Sequence, residues 1–457
     1  MSTLISVNPA TEEKLETYHC FEANELEEML AKSYERFMTW RSTSEQERAD
    51  HLAQAAEVLR LNQERYAQLM TREMGKPIGE ARKEVAKCAW VCDYYSENGA
   101  AFLDEEVVET GAMKSKISYQ PVGAILGIMP WNFPFWQVFR YAAPNLMAGN
   151  VVLLKHAPNV PGCAVALEQI FDEAGFPPSV FQNLMIKTDQ VQAVIEDPRV
   201  QGVTLTGSHR AGAMVAAEAG KVTKKTVLEL GGSDPYVILE DADLDLAAKV
   251  CAQSRLINSG QSCIAAKRFI VAESRRHEFE EKLVAAMQGY QMGPPDQDQT
   301  QIGPQARQDL QEKVERQVRE TLKAGAQCLL GGKLEDSKGF YYPPTVLTDV
   351  RPGMAAFEEE VFGPVAAVIS ARNEVEAVQL ANQSRFGLGA AVFTRDIPKG
   401  EFIATHELDA GNCTVNAMVQ SDPRLPFGGI KQSGYGRELA RAGMLEFVNI
   451  KSVVINE

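Results

Sequence analysis

The chain has 457 residues, of which 45% are hydrophobic and 23% charged, and its formal net charge is −15. That length buries a sizeable core and exceeds one simple domain, and the composition is that of an ordinary globular enzyme. The negative balance repels nucleic acid and anionic membranes, and no basic block or aromatic–basic stripe reverses it.

The first residues lack a charged-then-apolar leader, and no uncharged apolar run reaches the length of a membrane span. Eight cysteines (Cys20, Cys88, Cys92, Cys163, Cys251, Cys263, Cys328 and Cys413) lack the dense spacing of a disulfide scaffold. A reducing, cytoplasmic setting is the expectation. From about Ala23 to Leu103 the periodicity is helical, and Ser44 with Glu47 has capping-box spacing, which predicts a helix start there. After Lys114 the pattern changes. Residues 117–121 and 123–128 read as strands, and Phe133 to Phe139 reads as a buried turn and helix start. Short apolar runs then alternate with helical segments: 151–154, 180–184, 202–205, 227–230 and 236–239. Such alternation predicts a parallel sheet with helices on both faces. A second alternating region follows Cys263, at 269–271, 365–369, 390–393 and 413–416. The fold class is therefore α/β, with two Rossmann-like units and a cleft between them. Residues 447–455 read as a terminal strand too apolar to stand alone, which adds to a neighbouring sheet.

Four motifs carry chemistry. Asn258-Ser259-Gly260-Gln261-Ser262-Cys263 sets a thiol on a turn of small residues, so a carbonyl can approach it. Leu228-Glu229-Leu230-Gly231-Gly232 supplies a carboxylate that two glycines leave accessible, able to activate water. Pro130-Trp131-Asn132-Phe133-Pro134 adds an amide donor for an oxyanion, and Glu359-Glu360-Val361-Phe362-Gly363-Pro364 is the fourth. Together they resemble the aldehyde dehydrogenase superfamily, and the separation of Glu229 from Cys263 matches that family. The resemblance runs from Asn8-Pro9-Ala10-Thr11 to Lys451-Ser452-Val453-Val454-Ile455. It implies a dinucleotide-binding domain of residues 1–102 and 122–230 and a catalytic domain of 231–431. It also implies a small β element, 103–121 with 432–457, that bridges subunits of a homo-oligomer, a dimer or tetramer.

Cys263 is the expected nucleophile. The plain alternative, a buried structural thiol, is assigned to the other seven cysteines. Glu229 is the expected general base: burial beside Leu228 and Leu230 raises a carboxyl pKa toward neutrality. Its alternative is a salt-bridged glutamate at a strand end. Asn132 donates to the oxyanion alongside the Cys263 N–H, although an Asn before Phe-Pro also suits a turn. The family usually carries lysine after the two glycines, where this chain has Ser233. No metal is expected, because the six histidines show no paired-ligand spacing.

The cofactor expectation, NAD or NADP, rests on the resemblance, since no Gly-x-Gly-x-x-Gly is present. Thr204-Leu205-Thr206-Gly207-Ser208 reads as a strand entering a helix start, with Gly212 one turn on, where backbone N–H groups can hold a pyrophosphate. The resemblance places Gly207, Ser208 and Gly212 there. It sets Lys155 on the adenosine ribose, Glu360 on the nicotinamide ribose with Phe362 beside it, and Trp131 along the groove. NAD-preferring relatives often carry glutamate three residues after the lysine; here the run is Lys155-His156-Ala157-Pro158. The carboxylate that would repel a 2′-phosphate is absent, and His156 could crowd the phosphate or bind it.

For the substrate, Arg140 lies two helical turns beyond Asn132 and can face the same tunnel. Family members that oxidise succinate semialdehyde carry an arginine at this position for the distal carboxylate. An interdomain salt bridge is the ordinary alternative. Other features of those relatives are missing: their second arginine is Ile257 here, and their redox-switch cysteine is Ala265. Ser421 is expected to donate to the carboxylate, and Gln137, Trp136 and Phe427 to line the tunnel. The implied reaction is oxidation of a small aldehyde, succinate semialdehyde first, through a thiohemiacetal and a thioester. Rivals are another small aliphatic aldehyde, acyl release to coenzyme A, a cysteine hydrolase or thioesterase, and a catalytically silent protein. A hydrolase needs a histidine base, and no histidine sits in these motifs.

Overall fold

The computed structural model describes residues 2–334 and 337–456. Four helices, Ala23–Trp40, Glu45–Leu61, Gln63–Met74 and Ile78–Phe102, fill the segment of helical periodicity. Ser44 caps the second, its Oγ accepting from the Glu47 N–H at 3.1 Å. Before them lies a hairpin the sequence pattern misses, Thr3–Val7 against Lys14–His19. Its second strand, with Leu15 on one face and Tyr18 on the other, is exposed or half-exposed throughout, so no alternation marks it. The Asn8-Pro9-Ala10-Thr11 motif is the turn: Asn8 Oδ1 accepts from the Ala10 N–H at 2.9 Å.

Two large sheets follow. The first has the order Gly434–Tyr435, Lys225–Glu229, Val200–Thr206, Ala124–Met129, Val151–His156, Phe181–Asn183. Its last five strands are parallel, and Gly434–Tyr435 joins the edge antiparallel. One hydrophobic core joins this sheet to the four helices, from Leu26 through Leu230. The second sheet runs Gln327–Leu330, Thr345–Thr348, Val365–Ala371, Arg268–Ala272, Pro235–Ile238, Gly389–Phe393, Asn412–Val415. It is parallel except for its first pair, and a separate core covers each face. The chain crosses between sheets at Gly231-Gly232, so residues 236–239 belong to the second sheet although their pattern continues the first.

The tail, Val448–Ile455, pairs antiparallel with Lys114–Pro121, which pairs with Glu106–Val107. One expected boundary moves. Gly434–Tyr435 completes the first sheet, and Phe427 and Glu438 exchange backbone hydrogen bonds of 2.7 Å. The segment from 432 therefore serves the core before it serves the tail. No helix among the described residues is long and apolar enough to cross a membrane.

Candidate active site

The turn that carries Cys263 is held from all sides. Asn258, Ser259 and Gly260 have φ of 53°, 56° and 78°, three successive left-handed residues that only tertiary contacts sustain. Gly260 is required sterically, because a Cβ there would meet Gly363 C at 2.2 Å. The cysteine motif thus rests directly on the Gly363-Pro364 end of the fourth motif. Asn258 Nδ2 donates to the carbonyls of Asn132 (2.7 Å) and Gln261 (3.1 Å), and its N–H donates to Glu80 Oε2 at 2.6 Å. The buried ammonium of Lys267 donates to the carbonyls of Ser262 (3.0 Å), Cys263 (2.7 Å) and Ala265 (3.0 Å). Asn132 Nδ2 donates to Gln261 O at 3.0 Å, which fixes the amide plane and leaves its second hydrogen available. Cys263 N–H has no backbone or side-chain acceptor among the described residues, so two donors remain for an oxyanion.

Cys263 is half-buried and the other seven cysteines are free thiols, five of them buried. Burial pushes the Cys263 thiol up to about 12, opposed by the positive charges of Arg140 and Lys267 and reinforced by Glu360 and Glu229. The resting group is a protonated thiol, and its proton must leave for attack to occur.

Glu229 ends its strand fully buried, with neither carboxylate oxygen hydrogen-bonded among the described residues. Burial lifts its pKa well above the usual carboxylate range; Arg140 opposes the shift and Glu438 adds to it. The expectation that Gly231-Gly232 expose this carboxylate is corrected. A Cβ on Gly231 would meet Glu360 Oε2 at 2.4 Å, and one on Gly232 would meet the Cys263 carbonyl at 2.8 Å. The two glycines make room for Glu360 and the cysteine turn, and Glu360 Oε1 accepts from the Gly232 N–H at 3.0 Å. Glu229 instead sits behind the cleft, near Gly428, where a Cβ would come within 2.9 Å of its Oε1.

A cleft of about 540 Å³ leads to the thiol and is lined by Cys263, Gln137, Arg140, Trp136, Ser421 and Phe427 among others. Ile257, at the missing second arginine, also lines it. Arg140 faces this cleft and makes the ordinary salt bridge too: it is ion-paired with buried Glu438 and donates to Thr206 Oγ1 at 3.2 Å. Its guanidinium lies 4.9 Å from the Phe427 ring centroid. It is therefore not the free clamp expected from its position alone. One guanidinium serves two buried carboxylates, Glu438 and Glu229, and burial holds both above their usual range. Gln137 Oε1 is buried with no partner among the described residues. Ser421 Oγ accepts from Lys87 Nζ at 2.8 Å, so the hydroxyl hydrogen stays available for a ligand.

Several expected cofactor residues follow the carboxyl ends of the first sheet's strands, where such sheets bind ligands: Trp131 after Ala124–Met129, Lys155 near the end of Val151–His156 and Gly207 after Val200–Thr206. Trp131 and Phe362 meet edge to face at 5.7 Å between centroids. Ser208 caps the helix His209–Lys221, and the Gly207 N–H donates to the Glu229 carbonyl at 2.9 Å, tying this turn to the base. Lys155 lines a second cavity of about 300 Å³ with Pro158, Lys187, Thr188 and Asp189. Two expectations need correction. The Gly212 N–H is spent on the Ser208 carbonyl at 3.0 Å, and a Cβ there would strike Leu230 at 2.6 Å, so Gly212 is a packing glycine. His156 turns inward: Nδ1 accepts from the Ala157 N–H at 2.8 Å and Nε2 donates to Pro134 O at 2.9 Å. Burial lowers its pKa to about 4, and both ring nitrogens are already engaged by backbone, which leaves none for a phosphate. Among the described residues no cluster of metal-ligating side chains occurs.

Sequence reasoning missed Glu438, Lys87, Lys267 and Asn258 as working residues. Lys267 and Asn258 flank the thiol in sequence and could have been found by proximity. Glu438 and Lys87 carry no local mark, since solvent-facing charges follow the same helical and loop spacings.

Comparison with known proteins gives the same picture. The chain matches the Aldehyde dehydrogenase family over residues 2–453. It is 49% identical over 452 residues to a probable succinate-semialdehyde dehydrogenase (NADP+) of Synechocystis sp., covering 99% of each chain. It is 48% identical over 449 residues to a succinate semialdehyde dehydrogenase (NAD(P)+) of Escherichia coli, covering 98% of this chain and 97% of that one. Its structure is similar to that of succinic semialdehyde dehydrogenase from Streptococcus pyogenes in complex with NADP+, with a TM-score of 0.97 and 38% identity. That match covers 99% of this chain and 100% of the other. With nearly half the residues shared along almost the whole length, fold, turn geometry and ancestry agree, and the chain belongs to the aldehyde dehydrogenase family.

Proposed function

We propose that this chain oxidises succinate semialdehyde to succinate with NADP or NAD as hydride acceptor. The observation that carries the reading is a single cleft with a thiol and two oxyanion donors at one end and the cationic side chains of Lys87 and Arg140 in its wall. The named activity of the Synechocystis and Escherichia coli relatives supports the same substrate.

Cys263 Sγ attacks the aldehyde carbon as its proton passes to solvent water, and the carbonyl oxygen gains charge within reach of Asn132 Nδ2 and the Cys263 N–H. A bound nicotinamide dinucleotide supplies the acceptor for the hydride that leaves this carbon. The residues present suit such a group: Trp131 and Phe362 form one aromatic pair, Glu360 offers a carboxylate, and Gly207 and Ser208 open a helix start. The acyl group then stands on sulfur as a thioester. Once it has lost its proton, Glu229, without a hydrogen-bond partner among the described residues, takes a proton from water, whose oxygen attacks the acyl carbon and releases the acid and the thiol. Lys155 and Lys187 against one carboxylate, Asp189, favour a cofactor with an extra phosphate.

A cysteine hydrolase is disfavoured because no histidine among the described residues lines the cleft that leads to Cys263, and His156 is turned into the core. Homo-oligomer formation is supported by the exposed Val107, Ile450 and Val454 on the three-stranded tail sheet, with Met113 just before its middle strand. A reducing cytoplasm suits eight free cysteines. The test is NAD(P)H absorbance with a panel of aldehydes and each cofactor. Succinate semialdehyde with NADP is expected to give the highest kcat/KM; a higher value for butanal would reject the substrate.

A further inference from the structure

The cleft wall offers few charges to a substrate carboxylate, and most are engaged. Arg140 is ion-paired with Glu438, Glu84 is ion-paired with buried Lys76, and Asp298 with Arg82. Lys83 lies exposed at the mouth. Lys87 differs from all of these. It is half-buried on the cleft side of helix Ile78–Phe102 and forms no ion pair among the described residues. Its ammonium donates to Ser421 Oγ at 2.8 Å and lies 4.3 Å from the Trp136 ring centroid. Both partners are themselves cleft-lining. A cation held by a hydroxyl and an aromatic face, with donor hydrogens to spare and no ion-pair partner among the described residues, is ready for an anionic ligand.

We propose that the Lys87 ammonium, oriented by Ser421 and Trp136, receives the distal carboxylate and so selects carboxylate-bearing aldehydes over neutral ones of equal length. Arg140 flanks this site, its charge already shared between Glu438 and Glu229. The inference rests on the substrate class proposed above and adds the residue that recognises it.

The charged and titratable groups facing Lys87 come from three directions. Glu84 and Cys88 share its helix, Arg140 faces it from the next helix, and Asp422 from the loop after Ser421. Burial first, and then Arg140, bring its pKa down to about 8. The charge that would hold a carboxylate is therefore lost just above neutrality, whereas a guanidinium keeps its charge throughout.

Two measurements test this. The first is the ratio of kcat/KM for succinate semialdehyde to that for butanal, taken on one preparation so that loss of folded enzyme cancels. Lys87→Met is expected to lower the ratio about tenfold or more, and Lys87→Arg to restore most of it. The second needs no variant: in the wild type the same ratio should fall as pH rises from 7 to 9, through the Lys87 pKa. A ratio unchanged in Lys87→Met, or flat across that pH range, overturns the assignment. A wild-type ratio near one at pH 7 instead rejects the substrate class, which distinguishes the two failures.

Discussion

The two ends of the cleft are built by different means. At the thiol end nearly every polar group is held by backbone: Lys267 ties three carbonyls, Asn258 ties two, and Gly260 lies against Gly363 with no room for a side chain. At the distal end charge sits on the long side chains of Lys87 and Arg140, brought together from separate helices with Ser421 on a loop. Backbone positioning suits chemistry, where a small misplacement is expensive in rate. Side-chain positioning suits selectivity, which a single substitution can retune without disturbing the reaction.

This contrast predicts graded effects. Cys263→Ser should abolish oxidation of every aldehyde, by at least about a thousandfold in kcat, while dinucleotide binding measured by fluorescence titration persists. Retained turnover would remove the nucleophile. Glu229→Gln should slow steady-state turnover by about 10²–10⁴-fold yet preserve a pre-steady-state burst of NAD(P)H, because only hydrolysis needs the base. The sign of its pH dependence follows from the raised pKa. Below that pKa the carboxyl holds a proton and cannot accept one, so wild-type hydrolysis should increase with pH and the glutamine variant should lose that limb.

Arg140→Ala sharpens the comparison because this side chain belongs to both ends. It leaves Glu438 buried without its partner, which costs about 2–5 kcal/mol by analogy with other broken buried pairs. Turnover of butanal should therefore fall along with that of succinate semialdehyde, unlike the selective effect expected at Lys87. A purely selective loss would make Arg140 the principal carboxylate clamp. Ser421→Ala should have the smallest effect, raising KM for succinate semialdehyde about fivefold, the value of one hydrogen bond.

The thiol end was largely legible in the sequence. Cys263, Glu229, Asn132 and Glu360 lie in compact motifs whose glycines and asparagines reflect local backbone demands, and the structure gathers these motifs around one turn. The reading of Gly231-Gly232 was less accurate. Sequence alone shows that side chains are missing there but not what fills the space, which is Glu360 and the Cys263 carbonyl. Gly212 and His156 misled for the same reason. Each sits beside a ligand-binding motif, yet one N–H is used by its own helix and one imidazole faces Pro134 O. The N-terminal hairpin escaped notice because its second strand, exposed or half-exposed throughout, lacks alternation.

The helical segment near the N-terminus, the two α/β units and the motif that carries the thiol followed from the sequence itself, because periodicity and short motifs encode interactions between near neighbours. The pairing of Arg140 with Glu438, the unpaired state of Lys87 and the turning of His156 into the core were decided by the tertiary structure alone. Each depends on which charge or carbonyl a side chain meets from another part of the chain, and no local spacing records that partner.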